Sequence, residues 1–183
     1  MAEQDLTQPA ATVSTVRLEV GNMVVYGAHG AGRIAAREHR VVLGVERETV
    51  VLDLADGLSV GLTLEQAREQ LRPVIDEAGV RGVQQTLRDD EDLGSEIWHR
   101  RRKATQAKLT GGDPLEVAEV VRDGERRRQR SKEIGGRQML SAVDRGLYVK
   151  ARQLLAGEIA VARGLDLIEA DAWIEQQLEV GKS

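Results

Sequence analysis

The spacing of apolar residues changes once along this chain, near residue 76, and this change limits the fold more than any other feature. Short runs of Val, Leu and Gly fill residues 20–74, whereas from position 77 onward apolar residues recur every three or four positions. The first pattern is typical of short strands and the second of amphipathic helices. The sequence therefore predicts an α+β protein, with a β domain at residues 17–76 and an all-α domain at 77–183.

The β domain has the size of a small antiparallel Tudor or SH3-like barrel, because four or five short strands fit into its roughly 55 residues. Asp56-Gly57 is a hairpin signal, since glycine accepts the positive φ of a tight turn. A barrel this small has little room for an active site, and its open edges suit the binding of another protein. The predicted strands cover residues 23–26, 32–34, 49–54 and 58–62.

Residues 1–16 carry no signal-peptide pattern and are predicted to be a disordered tail.

Capping signals divide the helical domain. Gly111-Gly112 ends a helix that contains Trp98, and Ser141 with Asp144 resembles a capping box. Trp173 is predicted to be packed. N-cap residues are expected at Ser95, Asp113, Ser141 and Asp166. The residues expected on buried faces are Val80, Val83, Leu87, Val117, Val120, Val121, Leu147, Ala151, Leu154, Leu155, Ile159, Ala162, Leu167, Ala170, Ile174 and Leu178.

Charge is distributed unevenly, although the net charge of the chain is only -4. Residues 98–152 contain 15 Lys or Arg against 7 Asp or Glu, while the rest of the chain is strongly acidic. A basic segment beside an acidic remainder indicates a protein that touches nucleic acid locally while another contact holds it in place.

Trp98 stands next to four consecutive cations at residues 100–103. A flat apolar ring beside phosphate-seeking charges can grip a nucleic-acid backbone and press against a base step. The alternative is that Trp98 anchors the core and that the basic run is a solvated helix face. The exposure of the Trp98 ring distinguishes these two interpretations.

An enzyme is not predicted, and neither a metal, a cofactor nor a small-molecule substrate is expected. The chain has no cysteine, and its three histidines have no metal-ligand spacing. The glycine-rich residues 27–32 lead into a strand, whereas a phosphate-binding loop leads into a helix. His29 is interpreted as a turn-stabilising residue. No apolar run reaches the roughly 18 residues of a membrane span, so we predict a cytoplasmic protein without membrane contact.

Four segments carry a resemblance to a known family. Residues 24–30 read VVYGAHG, residues 98–103 read WHRRRK, residues 117–123 read VAEVVRD, and residues 150–160 read KARQLLAGEIA. In this order they resemble motifs of the CarD/CdnL family of bacterial transcription regulators, and the resemblance extends over about residues 18–162.

The resemblance implies a division of labour. The Tudor-like module would bind the β subunit of RNA polymerase and so associate the protein with the nucleoid. The helical domain would contact the minor groove of promoter DNA at the upstream fork of the transcription bubble, with little sequence specificity, and stabilise the open complex. The alternative is an adaptor of the transcription machinery without DNA contact. Trp98 would be the wedge, and the implied DNA-binding cations are Arg100, Arg101, Lys103 and Arg145. Arg40 matches a basic residue of the polymerase-binding surface. Arg37 or Arg47 are further candidates for that surface; the alternative for these two is a solvated strand edge.

The chain departs from the family pattern at several positions. Gly27 replaces a proline, which is expected to loosen the first turn, and Gly61 replaces a polymerase-facing arginine of the fourth strand. Residues 130–139 look like an insertion and are predicted to extend a loop.

Overall fold

The computed structural model describes residues 16–55, 57–90, 98–133 and 141–181, and at residues 98, 99 and 131–133 it describes the backbone alone. Strands occupy the first part of this chain and helices the second, which confirms the predicted α+β class.

The first part forms one antiparallel sheet. Its strands are β1 (Met23–Tyr26), β2 (Gly30–Val42), β3 (Val45–Leu54), β4 (Ser59–Thr63) and β5 (Leu71–Pro73), and a 3-10 turn (Gly27–His29) joins β1 to β2. The spatial order is β4-β3-β2-β1-β5, so β4 and β5 lie at the two edges. A bulge in β2 between Ile34 and Ala36 shifts its register against β3. Gly57 turns the β3–β4 hairpin with a φ of +83°, as predicted, while Asp56 lies outside the described residues.

Helix α1 (Leu64–Gln70), which connects β4 to β5, was missed because the region was interpreted as strands throughout. Its signal is local. The Thr63 side chain accepts a hydrogen bond from the Gln66 backbone, and the Gln66 side chain accepts one from the Thr63 backbone. This capping box starts a helix whose buried residue, Ala67, packs on the core of the sheet.

Five helices follow, and most of their predicted ends are confirmed. Ser141 caps its helix through the Asp144 backbone, but the Asp144 carboxylate bonds the Ser141 hydroxyl, so the predicted capping box is only half formed. Asp113 and Asp166 both cap as expected, and Ser95 lies outside the described residues. The helices are α2 (Glu77–Arg88), α3 (Trp98–Gly111), α4 (Pro114–Glu133), α5 (Ala142–Arg163) and α6 (Leu167–Val180).

The predicted apolar faces of these helices form one core, with the exception of Leu167. Leu167 is exposed, because it is the first residue of α6 and precedes the turns that pack on α5.

Helix α4 continues to Glu133, so the loop predicted at 130–139 is wrong for residues 130–133; residues 134–140 lie outside the described part. Trp173 packs against the core as predicted, and the guanidinium of Arg163 lies 5.2 Å from its ring centre.

The sheet and the helices touch at two glycines. A Cβ added to Gly112, in the α3–α4 connection, would lie 2.7 Å from the Cα of Gly27. Gly27 itself has a φ of +33°, which proline cannot adopt. Glycine in place of the proline that the resemblance implies therefore accompanies a close backbone contact between the two parts of the chain.

Candidate nucleic-acid and polymerase interfaces

Helix α3 is anchored at its C-terminal end. Leu109 is its one buried side chain among those described, and Lys108 pairs with Glu119 of α4. The described side chains of the turns before it are exposed or half-buried, and they form no continuous apolar stripe. Trp98 is the first residue of α3; the position of its ring lies outside the described residues. The wedge and core interpretations of Trp98 are therefore still predictions.

The four cations predicted to bind DNA are not used to hold the fold together. Arg100, Lys103 and Arg145 are exposed and Arg101 is half-buried. None of the four forms an ion pair with a carboxylate in the part of the chain that the structure describes. Many of the other arginines form ion pairs with carboxylates: for example, Arg152 pairs with both Asp171 and Glu175. A cation without a carboxylate partner can meet a phosphate without first breaking an ion pair.

Arg127 of α4 is a further cation near Arg101, and it was not among the residues predicted to bind DNA. Burial lowers the pKa of Arg127, and the nearby charge of Arg101 lowers it further, while Asp123 and Asp144 act in the opposite direction. The charges of Arg101 and Asp144 both act on Arg127 because α4 packs against α3 and α5. Its signal in the sequence was the run of three arginines at 126–128.

Arg40 and Arg47 lie directly opposite each other across β2 and β3, so their side chains share one face of the sheet. Arg40 pairs with Glu38, and Arg47 pairs with Glu65 at 3.3 Å. Arg37 is three residues from Arg40 and therefore points to the opposite face. There it pairs with Glu48 and donates to the Leu18 carbonyl at 3.3 Å. The structure thus brings two of the three predicted polymerase-binding arginines together.

Gly61, where the resemblance implies an arginine, lies on the same face as Arg40. A Cβ at Gly61 would lie 3.6 Å from a guanidinium nitrogen of Arg40, so Arg40 occupies the space beside this position. Gly61 is exposed on β4, which is an edge strand with one side of its backbone unpaired in the sheet. An edge without a side chain at this point allows another backbone to approach closely.

His29 and Arg152, which lie on either side of a surface cleft, both have structural partners. The ring of His29 stacks on Tyr26 with centroids 4.7 Å apart, as its turn-stabilising interpretation predicts. A cleft of about 630 Å³ runs between this turn and α5. Its arginine, Arg152, is held by Tyr148 and Asp171. Among the described residues there is no cluster of three metal-ligating side chains, and no helix has the length and apolarity needed to cross a membrane.

Two family models match the sheet and the helical part of this chain. Residues 18–75 match the CarD-like/TRCF RID domain, and residues 82–175 match the CarD C-terminal domain.

The chain belongs to the CarD family.

A relative from Bacillus subtilis (strain 168), named "Putative transcription factor YdeB", is 26% identical over 149 residues, which cover 80% of this chain and 93% of the relative. The CarD-like match confirms that the sheet is a Tudor-like unit. As a member of the CarD family the protein is a transcription regulator, and its partner is the transcription machinery.

Proposed function

We propose that this CarD-family regulator docks on the β subunit of RNA polymerase through its sheet and stabilises the promoter open complex by contacting the upstream fork of the bubble with the start of α3. The observation that carries the proposal is the contrast between the two sets of cations. Arg100, Lys103 and Arg145 are exposed without an ion pair among the described residues, whereas Arg40 and Arg47 are arranged in register on the sheet.

The docking surface would be the face that carries Arg40 and Arg47, together with the adjoining edge of β4. Its backbone groups can accept a strand of the partner, and Gly61 leaves room for it. Both arginines have carboxylate partners, which would be exchanged for acidic groups of the partner. Because these pairs are exposed, their exchange costs little free energy.

The DNA contact needs the tether. A few phosphate contacts alone give affinities of about 10⁻⁴ to 10⁻⁶ M. Docking on polymerase raises the effective concentration at the fork to roughly the millimolar range. Trp98 would then fill the opened base step, whose unstacking costs about a few kcal/mol, and shift the opening equilibrium towards the open complex.

The experiment compares Trp98→Ala with the unmodified chain in promoter open-complex lifetime and in affinity for core polymerase. We expect the variant to fold and bind polymerase as before but to lose the extension of the lifetime. Trp173→Ala is the matched control, because it removes the same ring from a packed position and should lower stability instead. An unfolded helical part in Trp98→Ala would show that the ring belongs to the core, and an unchanged lifetime would favour the adaptor function.

Docking is tested separately with Arg40→Glu, which should weaken polymerase binding. Arg33→Glu is the control, because Arg33 is also exposed on β2 but lies away from the Arg47 pair. Equal affinities of the two variants would remove Arg40 from the interface.

A further inference from the structure

Arg72, on the short strand β5, connects the sheet to two places in the helical part. Its guanidinium donates two hydrogen bonds to the carboxylate of Glu158 on α5, at 2.5 and 2.7 Å. It also donates two to the carbonyl oxygen of Gly112 in the α3–α4 connection, at 3.2 and 2.6 Å. One side chain therefore joins β5, α5 and the segment that ends α3.

Glu158 is committed to this arrangement. Its side chain is only 5% exposed, and it also accepts a hydrogen bond from the Ile75 backbone at 3.2 Å. A buried carboxylate is tolerated when its charge and its lone pairs are satisfied, and here Arg72 supplies the charge. Removing Arg72 would leave a buried carboxylate without its cation, so the local packing of β5 against α5 would have to change.

The carbonyl held by Arg72 belongs to Gly112, the residue whose backbone contacts Gly27. The guanidinium and the glycine contact thus act on the same connection, which directly follows the last turn of α3. That turn carries Leu109, the anchor of α3. These contacts therefore hold the C-terminal end of α3 against the sheet.

We propose that Arg72 is a positioning residue, which holds the sheet and the helical part in one orientation so that the docking surface and the α3 cations engage their partners together. This inference rests on the proposed function. Tethering raises the effective concentration of a second contact only if the geometry allows both contacts at once. A chain with a loose junction would bind polymerase through the sheet but would place α3 at the fork for a small fraction of the time.

Arginine suits this role better than lysine. A guanidinium is planar and has five N–H donors, so it bonds both oxygens of Glu158 while it reaches the Gly112 carbonyl. The ammonium group of lysine is a single point charge and cannot form the same fork. Arg72→Lys therefore keeps the charge beside Glu158 and removes the connection, which separates positioning from simple neutralisation.

The test uses the full chain, which has no native cysteine and so accepts a labelled pair without background. Spin labels are attached at Glu69→Cys on α1 and Glu179→Cys on α6, both exposed positions. Pulsed dipolar spectroscopy gives the distribution of distances between them. The variants are Arg72→Gln and Arg72→Lys, and the control is Arg68→Gln, an exposed arginine of α1 that makes no ion pair with the described residues.

We expect a narrow distribution in the unmodified chain and in Arg68→Gln, and a clearly broader one in both Arg72 variants. Polymerase affinity should stay unchanged, and the extension of open-complex lifetime should fall about ten-fold as the effective concentration at the fork drops. If Arg72→Gln does not fold, as judged by circular dichroism, Arg72→Lys decides. An unbroadened distribution in a folded Arg72 variant overturns the inference, as does a broadened one with full lifetime extension.

Failure of the proposed function is recognised separately, because it appears in the unmodified chain as the absence of any lifetime extension. The distance distributions of the isolated protein do not depend on that result, and they still decide whether Arg72 fixes the orientation.

Discussion

Gly27 and Gly112 are in backbone contact, so neither the sheet nor the helical part can be altered at this point independently. Gly112 has a φ of +69°, and an added Cβ would lie 2.9 Å from the carbonyl oxygen of Gly27. We expect Gly112→Ala to lower the free energy of unfolding by about 2 kcal/mol or more, through left-handed strain and the clash. Chemical denaturation measures this. Gly146→Ala is the control, since this exposed helical glycine has open space around it and should gain about 0.5–1 kcal/mol.

A related expectation concerns the family residue at position 27. Gly27→Pro should also destabilise, because the observed φ of +33° is closed to proline. A variant as stable as the unmodified chain would mean that the turn can adopt the family conformation without losing its contact with Gly112.

Glu125, in α4, makes the free energy of unfolding depend on pH in the acid range. Burial by itself would raise its pKa, but hydrogen bonds from Arg128, Gln129 and Tyr148 outweigh burial and lower the pKa to about 2. The stabilisation from a lowered folded-state pKa is complete above the unfolded value, 4.5, and is lost as pH falls through about 2. We expect a loss of about 3 kcal/mol across this window, measured by denaturation at a series of pH values.

Glu125→Gln should flatten that pH profile, because it removes the titrating group, and it should lower stability at neutral pH, because Arg128 loses its partner. Glu179→Gln is the control, since Glu179 is exposed near the end of α6. An acid transition that is equally steep in Glu125→Gln and the unmodified chain would assign it to other carboxylates.

Leu43 has a backbone conformation and an exposure that are both unfavourable for leucine in the isolated protein. It lies at the tip of the β2–β3 hairpin with a φ of +53°, and it is 99% exposed. Asparagine accepts this conformation in two-residue hairpin turns followed by glycine, as Gly44 follows here. We expect Leu43→Asn to raise the free energy of unfolding by about 1 kcal/mol. Val41→Asn, at an exposed strand position of the same hairpin, is the control and should not stabilise.

The phosphate-binding prediction is tested by salt dependence. Arg100→Ala and Lys103→Ala should each reduce the slope of the logarithm of DNA affinity against the logarithm of salt concentration by about 1. Fluorescence anisotropy with fork-shaped DNA gives the slope. Arg68→Ala, which removes an exposed cation of the sheet region, should leave it unchanged. Equal slopes in all three variants would show that the start of α3 does not meet phosphates.

Local signals made much of the fold predictable. The strand from Met23 to Tyr26, the cap at Asp113 and the apolar face around Leu155 and Ile159 all depend on residues a few positions apart. Helix α1 was missed although its signal at Thr63 is equally local, because the surrounding strand pattern was extended across it.

The candidate site divides in the same way. Trp98 and the adjoining cations are predicted as a DNA-binding site from their spacing and from the resemblance to the CarD family. The proximity of Arg127 to Arg101 was not predictable, because the two residues belong to different helices and meet only when these pack. The two faces of β2, which separate Arg37 from Arg40, follow from strand alternation only once the strand and its bulge are located.

By itself, the sequence determined the change from strands to helices, the helix caps at Asp113, Ser141 and Asp166 and the place of the basic segment, because capping, turn formation and periodicity act over a few residues. Only the tertiary structure decided that Arg72 meets Glu158, 86 positions away, and that Gly27 touches Gly112. No local pattern encodes such pairs, since they form only when packing brings distant segments together and a buried charge or a close backbone requires a specific partner.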